Sequence, residues 1–236
     1  MPTSITKFFK FYAGTNLAKY LPGNVMHFVG RNISAEDIGG SQRPVLISSI
    51  MEVVLILFAA LLLILFFSPV HLSIITAWVK PIHVIFLMIF SIVAFLLGAK
   101  ELKILKDQTQ IKWKLDVVLK LSGLTGSYIL VLLLQSLIPV LIAFSILKLP
   151  FNISAAGDII NAFLVSWAAG FLAIGAPGGI GVREVVFCSI LPDLPRDEVL
   201  LISVGQRIIN MVGDITFFAL ILLLTQLHKS KNLLND

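Results

Sequence analysis

Apolar residues run along this chain in blocks too long to be one face of a soluble helix. Residues 45–67, 81–98, 122–147, 159–175 and 199–227 each approach or exceed the ~20 residues that cross a bilayer core. The pattern predicts an all-α integral membrane protein with about five long transmembrane helices. Ahead of them, residues 6–20 mix Phe8, Phe9, Phe11 and Tyr12 with Lys7, Lys10 and Lys19. That stretch reads as an interfacial helix or the tail of a further span, not as a cleaved signal.

Two segments break the apolar pattern. "IGAPGGIGVRE" (174–184) places a proline, four glycines and an Arg-Glu pair directly after an apolar run, and "KYLPGNVMHFVGR" (19–31) repeats the order Pro-Gly, apolar residues, Gly, Arg. From Pro22 it is 26 residues to Ser48 and 30 to Glu52, and from Pro177 it is 26 to Ser203 and 30 to Arg207. These equal offsets predict an internal repeat, with residues 1–98 as the first copy, 116–228 as the second and a basic loop at 99–115 between them. Each broken segment is expected to be re-entrant or to cross as a discontinuous helix. In the first case the repeats are parallel and the tail lies outside; in the second they are inverted and the tail, with Lys229 and Lys231, lies inside.

Broken helices in lipid need a reason, because unpaired backbone groups and a charge in hydrocarbon are costly. Paired Gly/Pro-interrupted segments in two repeats are a pointer to a transport site. Pro177 must stop or kink the helix that enters it. Gly178, Gly179 and Gly181 permit positive φ angles, and a helix restarting near Val182 would offer free amides to an anion. Arg183 adds a bidentate donor for phosphate, and Glu184 serves as a cap-like partner or a countercharge. The substrate-binding candidates are therefore Pro22, Gly23, Arg31, Pro177, Gly178, Gly179, Gly181, Arg183, Glu184 and Arg207.

The last apolar run carries Arg207, Asn210 and Asp214 on one helical stripe. Glu52 occupies the place in the first copy that Arg207 occupies in the second. The opposite signs predict an ion pair between Glu52 and Arg207 across the repeat interface, with Asn210 and Asp214 in charge-pair or gating roles.

Composition agrees: 58% of the 236 residues are hydrophobic and 13% charged, far from the roughly 25% charged of a soluble domain. The net charge of +5 does not point to nucleic acid, since the positive residues line loops and form no basic domain. Lys100, Lys103, Lys106, Lys112, Lys114 and Lys120 crowd one connection, which the positive-inside rule makes cytoplasmic. No cofactor or metal is expected. His27, His71, His83 and His228 have no metal-ligand spacing, the single Cys188 suits apolar packing, and Ser127 has no histidine partner for nucleophilic catalysis. An enzyme is not expected.

Four stretches, "NLAKYLPGNVMHFVGR" (16–31), "SSIMEVVL" (48–55), "APGGIGVRE" (176–184) and "GQRIINMVGD" (205–214), resemble the transmembrane region of lysylphosphatidylglycerol synthases, also called the flippase-like domain. The resemblance covers most of the chain, and the Pro-Gly-Gly-Ile-Gly-Val-Arg-Glu stretch is its most specific part. It implies a stand-alone member without the soluble synthase domain, preceded in other members by additional spans. It also implies movement of an anionic lipid or a polyprenyl-phosphate-linked sugar between leaflets of what is expected to be the plasma membrane. The alternative is a membrane partner subunit of a glycosyltransferase or lipid synthase with no transport of its own.

Overall fold

The computed structural model describes residues 9, 12–15, 17, 26–33, 42–67, 113–173 and 176–233, with side chains at 26–28, 113–118 and 227–233 left aside. The described residues are helical with no strand: α1 (Met26–Ile33), α2 (Gln42–Phe67), α3 (Trp113–Leu141), α4 (Ile153–Leu172), α5 (Val182–Ile190) and α6 (Arg196–Leu233). Four of them, α2, α3, α4 and α6, are long and apolar enough to cross a membrane, which makes the chain an integral membrane protein. The expected span at 81–98 lies outside the described residues. The loop expected to reach residue 115 is shorter at its far end, because helix α3 already begins at Trp113.

Local chemistry sets the helix ends. Asn152 caps α4, its side chain accepting a hydrogen bond from the Ser154 amide at 3.0 Å, so the helix starts six residues before the purely apolar run does. Pro195 precedes α6, and Asp197 and Glu198 in its first turn suit the positive end of the helix dipole. Inside α3, Pro139 has no N–H for the helical ladder, and the helix widens from Ile142 to Ile146 into a π turn. The turn closes through the Leu147 amide on Ile142 O (3.0 Å) and the Leu149 amide on Ala143 O (3.1 Å), with Lys148 at φ 54°.

Helix α4 is the centre of the bundle. It packs on α2, α3 and α5, and of the four membrane-crossing stretches its own is the least apolar and the most buried. That inversion is what a lipid solvent produces: large apolar side chains gain nothing by turning inward, while small and polar ones gain close packing and hydrogen bonds. Asn161, Ala162, Ser166 and Gly170 of α4 are buried beside Ile159, Phe163, Leu164 and Trp167, whereas Leu62, Leu65 and Phe66 of α2 and Leu130, Leu134 and Leu137 of α3 face outward. Helix α6 divides in two. Val199, Ile202, Ser203 and Gln206 are buried near its start, but none of the residues in its most apolar stretch is.

Candidate functional site

Helix α4 ends at Leu172, and the chain turns back through residues 176–181 before α5 begins at Val182, where the sequence placed the restart. Pro177 to Gly179 form a single tight turn, and Gly178, Gly179 and Gly181 take φ values of 58°, 73° and 84°. All three glycines therefore occupy the left-handed region that their lack of a Cβ was expected to serve. Three amides of the turn, however, are not left open to a ligand. The Gly179 amide donates to Ala176 O (2.8 Å), the Ile180 amide to Pro177 O (3.1 Å) and the Gly181 amide to a carboxylate oxygen of Glu184 (2.7 Å).

Glu184 combines the two roles the sequence left open. One carboxylate oxygen caps the start of α5 at Gly181, and the other accepts from Arg207 Nη1 at 2.5 Å. The second guanidinium nitrogen of Arg207 donates to Gly178 O at 3.3 Å, so α6 is tied both to α5 and to the backbone of the turn. Glu184 lies outside the four spanning helices. Burial alone would raise its carboxyl, but the hydrogen bond and charge of Arg207, with the backbone donors, hold it below its ordinary value of 4.5. The anion seat at the start of α5 is thus filled by the protein's own carboxylate.

Arg183 points elsewhere. Its side chain passes between helix α4 and the turn: a Cβ on Gly170 would stand 2.3 Å from Arg183 Cγ, and one on Gly179 would stand 2.9 Å from Arg183 Nε and 2.8 Å from the Gly170 backbone. Two missing side chains make the slot the arginine occupies. Beyond it lies a small cavity between α4, α5 and α6, lined by Phe163, Ser166, Trp167, Arg183, Phe187, Ser203 and Gln206. Its volume of about 10 Å³ is room for one water-sized group.

A second ion pair joins the other short helix to its long neighbour. Arg31 Nη1 of α1 lies 2.5 Å from Glu52 of α2, and the Arg31 guanidinium sits 4.4 Å from the centre of the Tyr12 ring. Tyr128 of α3 is within electrostatic reach of Glu52, Tyr12 and Arg31. Pro22 and Gly23 lie outside the described residues.

The pair expected between Glu52 and Arg207 is not formed. Each of these residues finds its partner on the adjacent short helix, and α1 and α5 do not pack substantially on one another, so the described residues hold two separate clusters. Sequence separation explains the difference: the turn at residues 191–195 folds α5 back along α6, which brings residues 184 and 207 together before any contact between halves is needed. Asn210 and Asp214 are half-buried on the part of α6 that has left the core. Cys188 packs against the core cluster, and burial pushes its thiol up, which suits a packing role.

No protein-family model, curated protein or solved structure matches the chain. Local chemistry must therefore carry the functional argument.

Sequence reasoning missed Gln206, Ser166, Trp167 and Gly170 as site residues. Ser203 was noted only as one of the repeat's matching serines. The available signals were weak: a serine inside an apolar run, and a glutamine next to Arg207.

Proposed function

We propose that the chain is a flippase or transporter for an anionic membrane lipid or a polyprenyl-phosphate-linked sugar, a member of the lysylphosphatidylglycerol synthase transmembrane-region family. One observation carries this reading: an unwound turn at the end of the membrane-crossing helix α4, with the Gly179, Ile180 and Gly181 amides satisfied, directs the Arg183 side chain through a slot between two glycines toward a polar cavity inside the bundle. Buried charge near broken backbone is expensive in a membrane and suits a pathway for charged cargo. Arg183 and Arg207 attract the phosphate in this scheme, while Glu184 holds Arg207 until cargo competes for it. Arg31 with Glu52 does the same for the first copy.

The internal repeat, five spans and a cytoplasmic basic loop at 99–120 of a plasma-membrane protein belong to this proposal. It is supported by the way both short helices reach an adjacent spanning helix through one ion pair. Reconstitution into phosphatidylcholine vesicles with fluorescent phosphatidylglycerol tests it. The wild-type chain should expose inner-leaflet label to an external quencher, and Arg183→Gln should slow this at least tenfold. Equal rates in protein-free vesicles would overturn the proposal.

The outward face of α6 favours a second reading. Its most apolar stretch has no buried residue, and Asn210 and Asp214 lie along it. A non-transporting partner subunit of a glycosyltransferase or lipid synthase would cover such a face. Copurification with a transferase, lost on Asp214→Leu while the vesicle assay stays silent, would favour it.

A further inference from the structure

The cavity between α4, α5 and α6 has properties that neither ion pair explains. Gln206 is 4% exposed, lines the cavity, and its amide nitrogen has no hydrogen-bond partner. A buried donor left unmade is costly, so something of complementary chemistry is called for. The rest of the wall fits an acceptor carrying negative charge. Arg183 is the only charged residue among the seven that line it, no carboxylate is present, and Ser203 adds a hydroxyl. Ser166 already donates to Phe163 O at 2.9 Å. Phe163, Trp167 and Phe187 supply the apolar part of the wall.

Size restricts the ligand further. A cavity of about 10 Å³ admits one oxygen and excludes a whole phosphate group. We infer that this cavity is a subsite for a single oxygen of a phosphate, received by the Gln206 amide together with the Arg183 guanidinium, while the rest of the phosphate stays at the mouth. The oxygen belongs to a lipid headgroup or to free inorganic phosphate. The lipid source rests on the transport reading above, and the site itself does not. Gln206 is then a binding residue, and the adjacent Arg207 on the same helix belongs to the Glu184 cluster.

Trp167 in the wall makes the site measurable. In the full chain with Trp78→Phe and Trp113→Phe, held in phosphatidylcholine nanodiscs, Trp167 fluorescence is followed while inorganic phosphate or short-chain phosphatidic acid is added. A saturable change with phosphatidic acid alone assigns the lipid source, and one with both assigns the phosphate group itself. Gln206→Leu should weaken either response at least tenfold, and Gln206→Glu should remove it. Gln206→Leu also removes the unpaired donor, so its melting temperature should equal or exceed that of the parent, which separates lost binding from lost folding. Saturable binding as tight in Gln206→Leu as in the parent, or no response to either probe, would overturn the subsite. Transport that continues in Gln206→Leu with unchanged binding sinks the subsite and leaves the flippase reading standing. Gln206-dependent binding without any transport does the reverse.

Discussion

Two short helices each meet a long one through an Arg–Glu contact, but the charges are exchanged and the surroundings differ. In the first cluster α1 supplies the arginine and α2 the glutamate, and an aromatic ring covers the guanidinium. In the second, α5 supplies the glutamate and α6 the arginine, and both partners also bind backbone, Glu184 at Gly181 and Arg207 at Gly178. In the first, the contact that joins the two helices runs between side chains, so exchanging their signs preserves it. The second is part of the turn itself, because the geometry of the backbone depends on which residue is the acceptor.

The largest effect that distinguishes the two should come from the glycine slot, which has no counterpart among the described residues of the first cluster. Gly179→Ala places a Cβ at positive φ and 2.8 Å from the Gly170 backbone, which cannot move aside. It should cost about 4 kcal/mol, backbone strain and overpacking together, seen as a lower midpoint in thermal unfolding of the detergent-solubilised protein. Gly170→Ala meets chiefly the Arg183 side chain, so Arg183→Ala should relieve Gly170→Ala and leave Gly179→Ala unrelieved. Relief of both alike would show that the arginine, and not the backbone, fills the slot.

Next in size are the charge exchanges. Any one reversal, Arg31→Glu, Glu52→Arg, Glu184→Arg or Arg207→Glu, should destabilise by about 3 kcal/mol, since it leaves two like charges facing each other with little solvent. Combining Arg31→Glu with Glu52→Arg should recover most of that loss. Combining Glu184→Arg with Arg207→Glu should not, because an arginine at 184 cannot accept the Gly181 proton. Recovery in both halves would mean that the backbone ties of the second cluster contribute little.

Smaller still is the aromatic contribution. Tyr12→Leu should cost about 1 kcal/mol and Tyr12→Phe less, since the guanidinium is held by the ring face. The last difference is a dependence on acidity. Because the Glu184 carboxyl is held below 4.5, its ionised form adds stability above that pH, and the contribution disappears as pH falls through the lower folded value. Melting midpoints measured on acidification should therefore drop less in Glu184→Gln than in the wild type.

What the sequence made legible was mostly backbone. Pro177 with Gly178, Gly179 and Gly181 announced a broken helix, since only that combination both stops a helix and permits the conformations that follow, and the restart at Val182 agrees. The partners of the charges were harder to read. Equal spacing suggested Glu52 with Arg207, but spacing along a chain cannot say which helix folds back on which, and the short connection between α5 and α6 decided in favour of Glu184. Gly170 was invisible as a site residue because its role is to leave room for a side chain thirteen positions later. The polar cavity was hidden for a related reason: Ser166 comes from α4 and Ser203 and Gln206 from α6, and they acquire meaning only when the two helices are side by side.

The widened turn at Ile142–Ile146 bears on how this bundle tolerates change in chain length. It holds one residue more than a regular helix would use over the same rise, and Ile142 there sits close against Gly205 of α6, 3.2 Å from where a Cβ would be. Deleting one residue within it would restore ordinary winding with the flanking residues near their present places, whereas deleting one from the regular part of α3 would rotate everything that follows by roughly 100° about the axis. The link into α4 begins directly after this turn, at Leu147, so the extra residue is taken up before the chain enters the central helix.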